Sequence, residues 1–303
     1  MPDRDAVAIL FVSHVFDRTI LDRLKKLSEE SADYGTLFVH ADVHGENPGD
    51  VNGIVEQFDF EAIQREYPRI LGTTLVPGNC HLPLLQFFKR HPQFQYYWVI
   101  EYDVVFTGDW RELFGAFSNQ PADFLACHLR RQEEEPSWYW WKSIQAPDGR
   151  GLPTTFTRAF GPIQRLSHRA LEALERRAKE GWVGHFECLV PTVLADEGYL
   201  LADFGGDGSY VPLGFRNRFY RSFSWPDGRL IHLGSMRFRP HVSSLRFARR
   251  NTLYHPVKPR LAHATSAPKR FFLELKERLA FFILNLARHP INFSRALARL
   301  YGS

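Results

Sequence analysis

Residues 6–12, Ala-Val-Ala-Ile-Leu-Phe-Val, form an unbroken apolar run of strand length. Ser13-His14-Val15-Phe16-Asp17 interrupts it before an amphipathic helical spacing sets in over 19–30. A second strand is expected at 36–40 and ends in Ala41-Asp42, after which Gly45-Glu46-Asn47-Pro48-Gly49 breaks the chain. Strand, helix, strand in that order predicts a βα-type repeat and a parallel sheet. Farther on, 82–89 reads as a short helix with Asn79 and His81 at its start, 96–106 as a strand, 121–128 as the next strand and 131–160 as a long irregular segment. A helix is predicted over 167–179, with Ser167 as N-cap and Gly181 as stop, and another over 188–195, opened by Glu187. Residues 200–206 read as a last short strand and turn. The pattern is that of an α/β protein with a central, mostly parallel sheet flanked by helices, and it contains no internal repeat.

The run 96–106, Tyr-Tyr-Trp-Val-Ile-Glu-Tyr-Asp-Val-Val-Phe, is interrupted by only two carboxylates, Glu101 and Asp103. A strand this apolar is expected to be buried on both faces, where an unpaired ionised carboxylate costs several kcal/mol or more. Residues i and i+2 of an extended chain point the same way. Glu101 and Asp103 therefore suit one hard divalent cation, a metal that also holds a diphosphate. A capping pair that accepts from the N–H groups of the next turn is the plainer reading of the same two residues. In open α/β sheets ligands bind beyond the carboxyl ends of the strands, which brings Ser13, His14 and Asp42 into the same candidate crevice.

The segment 131–160 holds Glu133-Glu134-Glu135 and the aromatic run Trp138-Tyr139-Trp140-Trp141. Four successive bulky aromatics do not all face a core from one short segment. They suit stacking on sugar rings or a lipid interface, or else a plug that closes the domain. Glu187, at a helix start, reads equally as a residue placed there by the helix dipole.

With 303 residues, of which 44% are hydrophobic and 15% aromatic, the chain has ample material for a core. Three cysteines (Cys80, Cys127, Cys188) without metal-ligand spacing argue against a disulfide framework or a structural zinc site and for a reducing compartment. The charged start Met1-Pro2-Asp3-Arg4-Asp5 does not resemble a signal peptide, and no apolar run approaches a membrane span. A soluble protein, or one bound to a membrane from one side, is expected. The net charge of +4 conceals an asymmetry, because residues 239–303 carry thirteen Lys/Arg against two acidic residues. A helical pattern with recurring basic positions begins at Lys269-Arg270-Phe271-Phe272 and suits either an anionic membrane surface or a core-packing helix with a solvated basic face. No groove-reading or RNA-binding motif accompanies the charge, and no nucleic-acid partner is expected. Gly-rich phosphate loops and a Gly-x-Ser-x-Gly elbow are absent from the sequence.

Strand–helix–strand first, Trp98-Val99-Ile100-Glu101-Tyr102-Asp103 in mid-chain, Gly184-His185-Phe186-Glu187 downstream and a late histidine together resemble glycosyltransferases of the GT-A fold, most strongly over residues 6–258. The resemblance implies one GT-A domain over 1–260, with a nucleotide-binding half at 1–110 and an acceptor-binding half at 111–260, followed by a basic amphipathic segment at 261–303. It implies that Glu101 and Asp103 are an ExD form of the DxD motif, holding Mn²⁺ or Mg²⁺ on the diphosphate of a nucleotide-sugar, with His255 completing the metal shell and His241 as its competitor. Ser13, His14 and Asp42 map by position onto the nucleoside site, Asn79 and His81 border the same crevice, and Lys258 suits a phosphate. Glu187 falls where inverting members carry a general base, although Phe186 stands where the usual acidic neighbour would be. The implied activity is sugar transfer, from a UDP-linked donor, to a glycan or lipid-linked acceptor in bacterial surface polysaccharide synthesis, at the cytoplasmic face of the membrane. A metal-dependent phosphoryl transferase or hydrolase and a non-catalytic glycan-binding module are the alternatives.

Overall fold

The apolar run at the start of the chain becomes the strand Val7–Ser13 (β1), which pairs in parallel with Thr36–Asp42 (β2) on one side and Tyr96–Glu101 (β4) on the other. The computed structural model describes residues 4–258 apart from 226, 231–233, 240, 243, 244, 246 and 247. The basic helical segment expected at 261–303 lies outside the described residues. Between β1 and β2 runs the helix Arg18–Ser31 (α1), whose N-cap Asp17 accepts a hydrogen bond from the Ile20 N–H at 3.1 Å. The strand Ile54–Phe58 (β3) adds in parallel to β2 and is followed by the helix Phe60–Glu66 (α2). Leu82–Arg90 (α3) leads into β4 as expected, and beyond it come Val105–Phe106 (β5) and the helix Trp110–Phe117 (α4).

The second half contributes Phe124–Arg131 (β6), Thr157–Ser167 (β7), the helices His168–Glu180 (α5) and Phe186–Asp196 (α6), Leu201–Asp203 (β8) and Leu253–Tyr254 (β9). The main sheet has seven strands in the order β3-β2-β1-β4-β7-β6-β8, and β7 alone runs antiparallel to its neighbours. Six α-helices accompany it among the described residues. Alternate residues of each strand enter opposite layers. Ala8, Leu10, Tyr97 and Val99 pack beneath α3, α5 and α6, whereas Ile9, Phe11, Trp98 and Ile100 pack beneath α1 and α4. Both faces are thereby covered, which is why β1 and β4 read as continuous apolar runs.

Two features of this layout position the site. Strand order departs in both directions from β1, so the crevice beyond the carboxyl ends of β1 and β4 is a topological switch point. In addition, β5 and β9 form a separate antiparallel pair, Val105 opposite Tyr254 and Phe106 opposite Leu253. That pair returns the end of the described chain to the turn that follows β4. Residues 200–206 do form a strand, β8, but β9 comes after it.

Candidate metal centre

β4 ends at Glu101, which lies opposite Val12 in the register with β1. The turn after it is held by backbone bonds, Tyr102 N–H to Val12 O and Val104 N–H to Glu101 O, each 2.9 Å. Neither carboxylate of the pair accepts from an N–H of that turn among the described residues, which removes the capping reading. Instead both side chains face His255. Its Nε2 is 3.4 Å from Asp103 Oδ1 and 3.6 Å from Glu101 Oε2, and one donor atom from each of the three residues lies within 4.8 Å of the other two.

Asp103 is 2% exposed, and its Oδ1 is buried without a hydrogen-bond partner among the described residues. On the far side of His255, Nδ1 lies 2.8 Å from the Arg237 carbonyl, so the ring proton there is donated to that oxygen and Nε2 is left facing the carboxylates. Lys258 Nζ sits 3.1 Å from Asp103 Oδ2 and 5.1 Å over the Tyr102 ring. Burial opposes ionisation of Asp103, yet His255 and Lys258 pull its carboxyl down to about 2. Burial likewise opposes protonation of His255, and Asp103 and Glu101 outweigh it, raising the imidazole to about 9. Two carboxylates and an imidazole whose Nε2 is turned toward them fit a divalent cation with oxygen and nitrogen ligands, one that would take the place of the Nε2 proton, as Mn²⁺ or Mg²⁺ accepts.

Glu187 enters from α6. The helix is capped by His185, whose Nδ1 accepts from the Glu187 N–H at 3.4 Å, so the carboxylate of Glu187 is free of that duty. It reaches across to β7 and accepts from the Gly161 N–H at 3.1 Å. Glycine is required there for close approach, because a Cβ on residue 161 would lie 2.5 Å from the Phe186 ring. Burial pushes the Glu187 carboxyl up to about 7 and Glu101 adds to the rise, while Arg158, the Gly161 N–H and His255 oppose it. Glu187 thus lies within the electrostatic reach of two members of the metal cluster.

The remaining expected residues divide. In the β1–β2 register Ser13 lies opposite Ala41, so Ser13, Asp42 and Glu101 end their strands along one edge. Ser13 Oγ is engaged in a local turn with Val15, and Asp42 Oδ1 accepts from the His44 N–H. His14 is exposed and stands edge-on to Tyr102 at 4.9 Å. The Asn79 side-chain amide donates to the Leu71 and Thr74 carbonyls and accepts from the Leu71 N–H, which ties up the loop before α3. His81 is buried at the α3 N-terminus with Nδ1 unpartnered, and burial lowers it to about 4. His241 feels Lys258, Asp103 and His255 and therefore flanks the cluster, although no ligand atom of it joins the three.

Three neighbours were not anticipated. The Cys80 thiol is raised by burial and by the charges of Glu101 and Glu187. His185, lowered by burial and by Arg158 to about 3, stacks on Trp140 with centroids 4.3 Å apart. Arg158, on β7, is buried and modulates both His185 and Glu187. The aromatic run splits: Trp138 and Trp141 are buried as a plug, whereas Tyr139 is 76% exposed.

A family described as a protein of unknown function (DUF3405) matches residues 39–141, a span that includes Asp42, Glu101, Asp103 and the aromatic run. No curated protein matches the chain. Among the described residues no helix is long and apolar enough to cross a membrane.

Proposed function

We propose that this chain is a metal-dependent glycosyltransferase of the GT-A type that moves a sugar from a nucleotide diphosphate, UDP by preference, to a hydroxyl of a glycan or lipid-linked saccharide. The observation that carries the reading is the convergence of Glu101, Asp103 and His255 at the switch point of the sheet, with Glu187 in their electrostatic field. The mixed sheet with its single antiparallel strand β7 and the accessory β5–β9 pair agree with it. The cytoplasmic membrane face as its setting rests on the basic composition of residues 239–303.

Glu101, Asp103 and His255 would hold Mn²⁺ or Mg²⁺, which supplies Lewis-acid stabilisation of the negative charge that grows on the departing diphosphate. Lys258 adds an ammonium beside Asp103 for the same charge. Glu187, with its affinity for a proton raised, takes the proton of the acceptor hydroxyl as that oxygen bonds to the anomeric carbon. The bond from that carbon to the diphosphate breaks, and its electron pair leaves with the diphosphate. A base placed in this way supports inversion at the anomeric carbon.

The test is calorimetric titration of UDP into the protein with and without Mn²⁺, on wild type and Asp103→Asn. Metal-dependent binding that the substitution abolishes is expected. Silence of UDP, GDP, CDP and ADP in both conditions would remove the nucleotide-sugar reading. Turnover of a UDP-sugar that proceeds at full rate without any acceptor would move the chain to the hydrolases.

A further inference from the structure

The metal cluster is assembled from two stretches far apart in the chain, 101–103 after β4 and 255–258 after β9. Their mutual placement decides whether the three donor atoms meet. A backbone bond from the Val257 N–H to the Asp103 carbonyl at 2.9 Å joins the stretches, and Lys258 adds its ion pair to Asp103. A further backbone joint comes from elsewhere. Arg23, on α1, directs Nη1 to the Tyr102 carbonyl at 3.1 Å and to the Val257 carbonyl at 2.9 Å.

Tyr102 stands between the two carboxylate ligands, and Val257 stands two residues after His255 and directly before Lys258. We propose that Arg23 is a positioning residue that locks these two stretches in register, so that Glu101, Asp103 and His255 present their donor atoms to one cation. The inference rests on the metal-centre reading above.

Two effects of opposite sign meet at Arg23. A guanidinium near a cation site repels the cation, and Arg23 is close enough to Asp103 to share its field. A charge-assisted bond to each of two carbonyls, in contrast, removes the freedom of the ligand segments before any cation arrives. Groups that orient ligands in this way typically change metal affinity by about 10- to 100-fold when removed. The geometry favours the clamp, because one nitrogen spans both carbonyls. Nothing in the sequence signals this role: Arg23 reads as one more basic residue on the polar side of an amphipathic helix.

Titration of Mn²⁺ alone into the full chain, followed by the paramagnetic resonance signal of free Mn²⁺, tests the proposal on wild type, Arg23→Met and Arg23→Lys. Arg23→Met, which keeps the apolar stem and removes both bonds, is expected to weaken Mn²⁺ binding by about 10- to 100-fold. Arg23→Lys, which keeps donors for the carbonyls, is expected to recover at least half of that loss on a logarithmic scale. Amide hydrogen exchange supplies a readout that general destabilisation does not mimic: protection at 253–258 falls in Arg23→Met while that of β1 and β4 is unchanged. Equal or tighter Mn²⁺ binding by a folded Arg23→Met overturns the clamp, and so does Arg23→Lys binding no better than Arg23→Met. Should Arg23→Met not fold, Arg23→Lys decides alone: a loss beyond 100-fold with intact exchange protection overturns the clamp. A wild-type chain that ignores Mn²⁺ overturns the metal reading itself and this inference with it.

Discussion

His255 faces Asp103 at 3.4 Å and Glu101 at 3.6 Å, while His128 faces Glu135 at 2.8 Å, and the two clusters are built from the same kinds of side chain. Around His128 both imidazole nitrogens and both Glu135 oxygens are matched, while the Arg158 Nε is left without a hydrogen bond among the described residues. Its Nδ1 meets Ser222 Oγ and its Nε2 meets Glu135 Oε1, each at 2.8 Å, while Arg158 Nη1 takes the other Glu135 oxygen at 2.9 Å. The three side chains are at most 5% exposed, and Trp138 covers the guanidinium at 3.8 Å. Around His255 the balance is different. Two carboxylates meet one imidazole and one ammonium, Asp103 Oδ1 makes no hydrogen bond among the described residues and meets His255 only as an ion pair at 3.4 Å, and the Glu101 side chain is 34% exposed. Sealed and matched, the first cluster fastens β6, β7 and the aromatic loop together; open and left with acceptors to spare, the second has something to bind with.

The difference is broken most sharply at Asp103. Asp103→Asn removes one ligand charge while keeping volume, and we expect loss of Mn²⁺-dependent UDP binding and a fall in turnover of roughly 10³-fold or more, corresponding to about 4 kcal/mol. Retained turnover would end the metal assignment. Next in size is Glu187→Gln. Loss of a general base lowers kcat by about 10²- to 10⁴-fold, with UDP binding unchanged. The wild-type rate rises with pH through about 7, because Glu187 must be ionised to accept a proton. That acid limb is expected to vanish in Glu187→Gln, and a limb that persists would assign the titration to another group.

At the sealed cluster the prediction reverses, from activity to stability. Glu135→Gln leaves the Arg158 guanidinium buried and uncompensated, and the expected cost is about 3–5 kcal/mol in urea unfolding. Burial opposes ionisation of Glu135, and His128 and Arg158 overcome it, holding the carboxyl down to about 2 against its ordinary 4.5. A depressed carboxylate contributes stability that is fully present above the ordinary value and is lost as pH falls through the depressed one. The wild-type protein should therefore lose stability between about 4.5 and about 2, and Glu135→Gln should lose less over that interval. Mn²⁺ affinity of the folded variant is expected to match wild type. A large Mn²⁺ defect there would mean that the two clusters are coupled.

Legibility in the sequence follows the same division. Three strands of the parallel half, β1, β2 and β4, are readable because they are apolar runs of strand length, against which Glu101 and Asp103 stand out, whereas the largely exposed β3 was not expected. β7 was not readable: Thr157–Ser167 carries Arg158, Gly161, Pro162, Gln164 and Arg165, and all eleven residues are buried. Its charges are matched only by distant groups, as when Arg165 donates to the carbonyls of Phe117, Gln120 and Ala122. Pairing with β6 is also irregular near Cys127, next to His128 at φ 52°. A strand whose polar groups are satisfied by tertiary partners has no alternation to display. For the same reason 131–160, expected to be irregular throughout, ends in a strand from Thr157. Glu187 stands out by its place at a helix start, where the helix dipole also favours a carboxylate, and that His185 rather than Glu187 caps the helix is visible only in the structure.

The smallest effect is expected in the aromatic loop, where neighbours in sequence have opposite surroundings. Trp141 is 5% exposed and donates its indole N–H to the Glu135 carbonyl at 2.7 Å, so its role belongs to the sealed cluster. Tyr139, two residues earlier, leaves its ring to solvent and touches Trp140 edge-on at 5.0 Å. Trp140 in turn stacks on His185, two residues before Glu187 in the sequence, and contact of the exposed ring with an acceptor of the proposed site is what the substitution tests. Tyr139→Ala should change stability by no more than about 0.5 kcal/mol. A ring that stacks on an acceptor sugar contributes about 0.5–1.5 kcal/mol, so the acceptor KM should rise by about 2- to 10-fold with kcat unchanged. An unchanged KM across a panel of glycan acceptors would confine the aromatic run to its structural part, the plug formed by Trp138 and Trp141.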